Sequence, residues 1–304
     1  MRPDPLAILE RVLAEPRVAY ITQVLDIYGK APGGLLANGL AFTALFAAIP
    51  TALVTLGLAG WLVNDPAVQA ALAEALAATF PPLADVIEAA LVALTQGAAI
   101  TSIIGVVGLI WTVSQLYVAV DVAFSRIFSQ AVERDVVRRT ARGFLWVAIV
   151  IAMVVAVIIA GTLLTAAATL LPDASPVPGV VADLLTSWPV LLLLGVLAVG
   201  AIYRFVPPLT PAWSSLLVPA VLSGLAIGLL TQLFTFLAPR LVGVASIVGS
   251  LATIFIALAW LSFSFQALLL GAAWVAVADR RRRAEEGLAL AAPAAPAEPG
   301  GGGQ

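Results

Sequence analysis

The sequence predicts an all-α, polytopic membrane protein with six transmembrane helices, an amphipathic N-terminal helix and an extracytoplasmic helical cap. Three observations carry that prediction. Hydrophobic residues make up 62% of the 304-residue chain and charged residues only 11%, against about 25% charged in an average soluble domain. Mean hydropathy is +1.08. The apolar residues also fall into runs long enough to cross a hydrocarbon core of about 30 Å as helices rising about 1.5 Å per residue.

The first element, 1–31, is too charged for a signal peptide, because Arg2, Glu10, Arg11, Glu15, Arg17 and Lys30 interrupt every apolar run. Val18, Ile21, Leu25 and Tyr28 recur at helical spacing. They describe either an amphipathic helix lying on the membrane face or a lead-in packed on the bundle. The first span, 35–63, holds no charge. Pro50 near its middle lacks the N–H that the Phe46 carbonyl would otherwise receive. A proline there calls for neighbouring helices or the hydroxyls of Thr51 and Thr55 to restore the lost bond.

Residues 65–95 read as two amphipathic helices carrying Asp65, Glu74, Asp85 and Glu88 and no basic residue. Acidic helices gain nothing from anionic lipid, so they are expected to form a lid on the bundle. Spans two to six follow at about 98–120, 143–171, 188–206, 213–238 and 244–278. The last run exceeds the bilayer by several turns and must tilt or project beyond it. Arg280–Arg283 stop it, and the Ala/Pro/Gly tail, 280–304, is expected to be a disordered cytoplasmic segment after the 32–279 membrane domain.

Charge decides the orientation. Grouping segments alternately puts 14 of the 15 basic residues on one side and Arg240 alone on the other. The positive-inside rule then makes both termini cytoplasmic. The localisation expected is the bacterial cytoplasmic (inner) membrane, with an Arg-rich, Lys-poor composition that suits a GC-rich bacterial genome.

Enzyme chemistry is not expected. The chain has no Cys and no His, which removes thiol chemistry, the usual acid–base group near neutral pH and the commonest metal ligand. No Gly-rich GK[ST] loop is present for ATP hydrolysis. Ser114 or Ser246 as nucleophiles would lack a visible base. No metal and no cofactor are expected, and the arginine clusters read as topology signals and lipid anchors, not as a nucleic-acid surface. The spans are uncharged except near their ends, at Asp121 and Arg204. Their polar residues are neutral: Asn38, Thr43, Ser114, Gln115, Gln232, Ser246, Ser250, Ser262 and Gln266. Charges deep in a span usually mark ion or proton routes, so neutral amides and hydroxyls suit a lipid-like or uncharged solute better. Singly, each is equally well explained by helix–helix hydrogen bonding, worth about 0.6 kcal/mol on average.

Four stretches resemble one family, the YihY/BrkB membrane proteins of bacteria. Leu40–Pro50, LAFTALFAAIP, resembles the family's LAFYALLSLFP, with Thr43 where Tyr is usual. Ile110–Phe128 resembles LWSASRAFxALxxALNRIW and keeps Trp111, Ser114, Arg126 and Ile127. Tyr203–Pro208 resembles LYRFLPP, and Trp260 with Leu270-Gly271-Ala272 resembles the closing WxxxxxxxxxLLGAELN. Together they cover roughly Pro32 to Ala278. The chain departs from the pattern at Ala273, where the family carries an acid, and at Val275, where it carries Asn. If relatives couple transport to protons through that acid, this chain lacks the group.

The resemblance implies an inner-membrane protein with a virulence, serum-resistance or transport role, and some relatives carry an older ribonuclease label. The expectation is a transporter or flippase for a lipid-like or small amphipathic substrate; the alternative is a non-transporting scaffold or envelope-assembly factor. The substrate pathway is expected to involve Asn38, Phe42, Pro50, Ser114, Gln115 and Gln232. Asp121, Arg126 and Arg204 are expected to pair at the cytoplasmic end. Arg138, Arg139, Arg142 and Arg280, Arg281, Arg282 and Arg283 are expected to anchor lipid head groups. Expected partners are membrane lipids and, through Gly224-xxx-Gly228 and Ala245-xxx-Gly249, either the protein's own helices or a second copy.

Overall fold

Pro16 starts the first helix, where its missing N–H costs nothing. In a computed structural model, the structure describes residues 15–63, 74, 84–128, 187–207, 211–244 and 250–291. Every regular element among them is a helix: α1 (Pro16–Lys30), α2 (Gly33–Val63), α3 (Ala84–Ile127), α4 (Trp188–Phe205), α5 (Trp213–Val244) and α6 (Ser250–Ala291). Three segments, Trp188–Phe205, Trp213–Leu237 and Ala252–Gly287, are long and apolar enough to cross a membrane. The pair Arg17–Lys30 and Gly33–Ala48 passes the same test together, bent by 58°. The expected third span, 143–171, lies outside the described residues, as do Arg138, Arg139 and Arg142 and the first expected cap helix apart from Glu74.

Several boundaries differ from the sequence reading. The second cap helix and the second span are one continuous helix, α3, of 44 residues. No proline stands between Ala84 and Ile127, and the glycine at 97 weakens a helix without stopping it. α2 and α5 also run unbroken through Pro50 and Pro219, and both prolines are buried. Beside Pro50, the Thr51 hydroxyl donates to the Ala47 carbonyl at 2.6 Å, and the Pro50 ring packs on Gly108 of α3. Finally, Arg280–Arg283 do not end the last helix. α6 continues to Ala291, helped by i,i+4 pairs of Arg283 with Asp279 and of Arg282 with Glu286.

α6 is the hub of the bundle. It touches each of the other five helices, while α2 packs chiefly on α3 and α4 on α5. Its sequence explains the position. From Leu268 to Val277, small and branched residues cover almost the whole circumference: Leu268, Leu269, Ala272, Ala273, Val275, Ala276 and Val277 are all buried. A helix apolar all round belongs in the interior of a bundle.

Glycines set the closest approach between α4 and α5. A Cβ on Gly224 would fall 2.8 Å from the Val196 backbone, and one on Gly228 would fall 2.7 Å from Leu192. The Gly224-xxx-Gly228 pair is therefore used inside the bundle, which settles one of the two uses its spacing allows.

α1 packs on the bundle instead of lying apart. Val24 is buried in the main core, and the Tyr20 ring meets Trp274 edge-on at 6.1 Å. Its other side keeps Ile21 and Leu25 exposed. The turn into α2 needs Gly33, since a Cβ there would collide with the Tyr28 ring.

Candidate functional site

Two groups of polar side chains stand out from this apolar frame. The first lies between α2 and α6. Ser262 and Gln266 are one turn apart on α6, and Gln266 Nε2 donates to Ser262 Oγ at 3.2 Å. Ser262 Oγ in turn donates to Asn38 Oδ1 of α2. Ser262 is near the middle of the apolar run 244–278. Ser262 therefore sits about 24 Å along α6 from Ala278, whereas Asn38 is five residues, about 7.5 Å, from the start of α2 at Gly33. Asn38 is exposed. One turn further along α2, Phe42 is 57% exposed and packs on Phe46 with ring centroids 4.7 Å apart. Close to the entry end of α2, the exposed Asn38 carboxamide keeps its NH2 group for water or a polar head group.

The remaining expected pathway residues do not all join this seam. Ser114 returns its proton to its own helix, donating to the Ile110 carbonyl at 2.6 Å. Gln115 is exposed on α3 beside exposed Trp111, with half-buried Ser114 on the same side of the helix. Gln232 is exposed on α5 beside exposed Leu229, Leu233 and Phe236, an apolar outward stripe. Pro50 serves the α2–α3 contact through Gly108. Sequence reasoning named Ser262 and Gln266 as polar residues within the bilayer but did not pair them with Asn38. Their separation of 224 residues leaves no local signal; only the crossing of α2 and α6 brings them together.

The second group closes one end of the bundle. Tyr203 of α4 is fully buried, with its hydroxyl 2.7 Å from the Leu268 carbonyl and 2.9 Å from Ser223 Oγ. Ser223 Oγ is also 3.3 Å from the Ala267 carbonyl. A phenol has one proton, so the Leu268 carbonyl and the serine divide its donor and acceptor roles. Gly271 leaves the space for both hydroxyls, because a Cβ there would overlap them.

Below this knot, Arg204 donates to the Pro211 carbonyl at 2.8 Å and lies over the Trp213 ring. Asp279 accepts from the Ala212 N–H at 3.3 Å and from Arg283 Nε at 2.8 Å. Arg280 reaches the Phe128 carbonyl at 3.4 Å, Arg281 reaches Gln23 at 2.7 Å and stacks on Tyr20, and Arg282 reaches Ser214 at 3.1 Å. Arg280–Arg282 thus tie α1, the end of α3 and the start of α5 to α6, and Arg283 steadies Asp279; these intramolecular contacts come in addition to any with head groups. Asp121 is buried and Arg126 exposed near the same end of α3.

The positions of the missing family acid and Asn, Ala273 and Val275, are fully buried. Among the described residues, no group of three or more acidic side chains could hold a metal ion.

A family profile described as Virulence factor BrkB matches residues 24–295. No curated protein matches the chain, and no solved structure does.

Proposed function

The chain belongs to the family described as Virulence factor BrkB, and from that premise we propose that it is a non-enzymatic membrane transporter or flippase for a lipid-like or small amphipathic substrate. One observation carries this reading. An amide–hydroxyl–amide chain, Asn38, Ser262 and Gln266, joins α2 to α6 and reaches the surface at Asn38, on stretches of both helices that hold no charge. Neutral groups placed there can exchange hydrogen bonds with a polar head group without the desolvation cost of a buried charge. The substrate moves past them with its apolar part against Phe42 and the lipid.

The same reading places the protein in the bacterial cytoplasmic membrane with six spans, an outer helical cap and both termini inside. It is supported by the 14-to-1 division of basic residues. It is also supported by the way Gln23, Phe128, Ala212, Ser214 and Asp279–Arg282 meet at one end of the bundle, the end to which alternate grouping assigns them all. Because the chain is free of Cys, Arg2→Cys and Gln304→Cys can be labelled in intact cells with a membrane-impermeant maleimide. Labelling is expected only after permeabilisation; labelling of intact cells refutes the orientation.

The function is tested by reconstituting the purified protein into liposomes and measuring dithionite bleaching of fluorescent lipids together with solute efflux. Protein-dependent movement of at least one amphipathic probe is expected. Failure across lipid and solute probes refutes transport and favours a membrane scaffold.

A further inference from the structure

We infer that the Asn38–Ser262–Gln266 seam recognises a neutral, hydroxyl-bearing head group, a polyol, and discriminates against phosphate and ammonium groups. The inference rests on the translocation reading above and names the chemistry of what is moved.

The protons of the seam decide what it can bind. Ser262 Oγ has one proton, and it stands between two carboxamides, accepting from Gln266 and donating to Asn38. That leaves the Asn38 NH2 as a donor at one end of the chain and the Gln266 carbonyl oxygen as an acceptor at the other. Exchanging the oxygen and nitrogen of both amides reverses the direction and leaves the same result. One end always offers protons and the other always accepts one.

A polyol matches such a pair, because each hydroxyl both donates and accepts. A phosphate at neutral pH has acceptors in excess and would leave the acceptor end facing negative charge. A quaternary ammonium has no donor at all. No Asp, Glu, Lys or Arg stands within residues 33–63 or 250–278, on either helix that forms the seam, so nothing there offsets the cost of drawing an ion out of water. Exposed Phe42, one turn from Asn38 and tilted against the Phe46 ring, supplies an apolar face for a sugar or glycerol carbon skeleton or for the start of an acyl chain.

The test uses liposomes containing the full-length protein and trace fluorescent lipids of three kinds: a glucosyl diacylglycerol, a phosphatidylcholine and a phosphatidic acid. A parallel arm follows the efflux of free glucose. The glucosyl lipid is expected to move about tenfold faster than the phosphatidylcholine, the factor that one or two neutral hydrogen bonds supply. Ser262→Ala and Asn38→Leu should bring that ratio to near one, and Asn38→Gln should restore part of it. Preferential efflux of free glucose supports polyol recognition with a soluble source; preference for the glucosyl lipid supports a lipid source.

Equal rates for all three lipids with no glucose efflux overturn the head-group inference while leaving translocation intact. So does a Ser262→Ala protein that loses thermal stability but keeps its head-group ratio, since the seam is then only a staple between α2 and α6. If no probe moves, translocation fails instead. Native mass spectrometry of the detergent-solubilised protein then decides the preference: selective retention of the glucosyl lipid, lost in Ser262→Ala, supports it, and equal retention overturns it.

Discussion

Replacing Gly271 by Ala should unsettle the bundle more than its single added methyl suggests. The new Cβ would overlap Ser223 Oγ and Tyr203 Oη and lie 3.1 Å from the Tyr203 ring carbon that bears the hydroxyl. Neither neighbour can withdraw easily. Tyr203 is fully buried with its ring 6.3 Å from that of Phe124, and Ser223 is itself buried on α5. Overpacking of a close-packed core costs about 1–3 kcal/mol. Two displaced hydrogen bonds add about 0.6 kcal/mol each at the average value for membrane helices. The better helix propensity of Ala returns at most about 1 kcal/mol. The net loss expected is about 1–3 kcal/mol, measured by equilibrium unfolding in mixed SDS and mild-detergent micelles. The control is the same substitution in a Ser223→Ala, Tyr203→Phe background, where both hydroxyls are gone and the penalty should fall below about 0.5 kcal/mol. A Gly271→Ala protein as stable as the parent, or a penalty that persists in the control background, would refute this account of the knot.

Other substitutions test the remaining contacts. Gly224→Ala should destabilise by about 1–3 kcal/mol in the same assay, since its Cβ meets Val196 backbone that cannot move aside. Gly200→Ala, whose Cβ would rest in ordinary contact 3.7 Å from Ala220, should be neutral within about 0.5 kcal/mol. Arg281→Gln removes the bond to Gln23 and the stacking on Tyr20; amide exchange in α1 should quicken while that in α5 stays as it was. Asp279→Asn keeps an acceptor for the Ala212 N–H and loses the 2.7 Å ion pair with Arg283. With Arg283 half-exposed, that loss should stay near or below about 1 kcal/mol and shrink further in high salt. Pro50→Ala restores an N–H to α2, keeps the Cβ nearest Gly108 and removes only the ring carbons beyond it; stability should change by less than about 1.5 kcal/mol, and a fall in translocation rate at that small cost would identify the proline as part of the moving machinery.

Much was legible in the chain alone, and the reason is the solvent. Hydrocarbon leaves the backbone few options, so uncharged runs announce helices. Residues 188–206 and 213–238 were bounded to within a few positions of α4 and of the apolar part of α5 for that reason. The order of motifs from Leu40 to Ala272 carried the family, and the basic residues carried a topology whose described segments do meet at one end. Helix ends were less legible. The arginines at 280–283 predict the end of α6 and the acidic stripe predicts a separate cap helix, yet polar residues end a membrane span without ending a helix.

Pairings across the bundle were decided only by tertiary structure. Asn38, Ser262 and Gln266 are unremarkable amides and hydroxyls until α2 crosses α6. Gln232 looked equivalent to Asn38 until its helical phase placed it with Leu229, Leu233 and Phe236. Arg281 looked like a lipid anchor until α1 came to lie beside it. Hydropathy fixes whether a residue is within the membrane, because transfer free energy depends on one side chain at a time. Which neighbour it faces depends on helix rotation and crossing, and those follow from the packing of small residues such as Gly224 and Gly271 against partners far away in the chain.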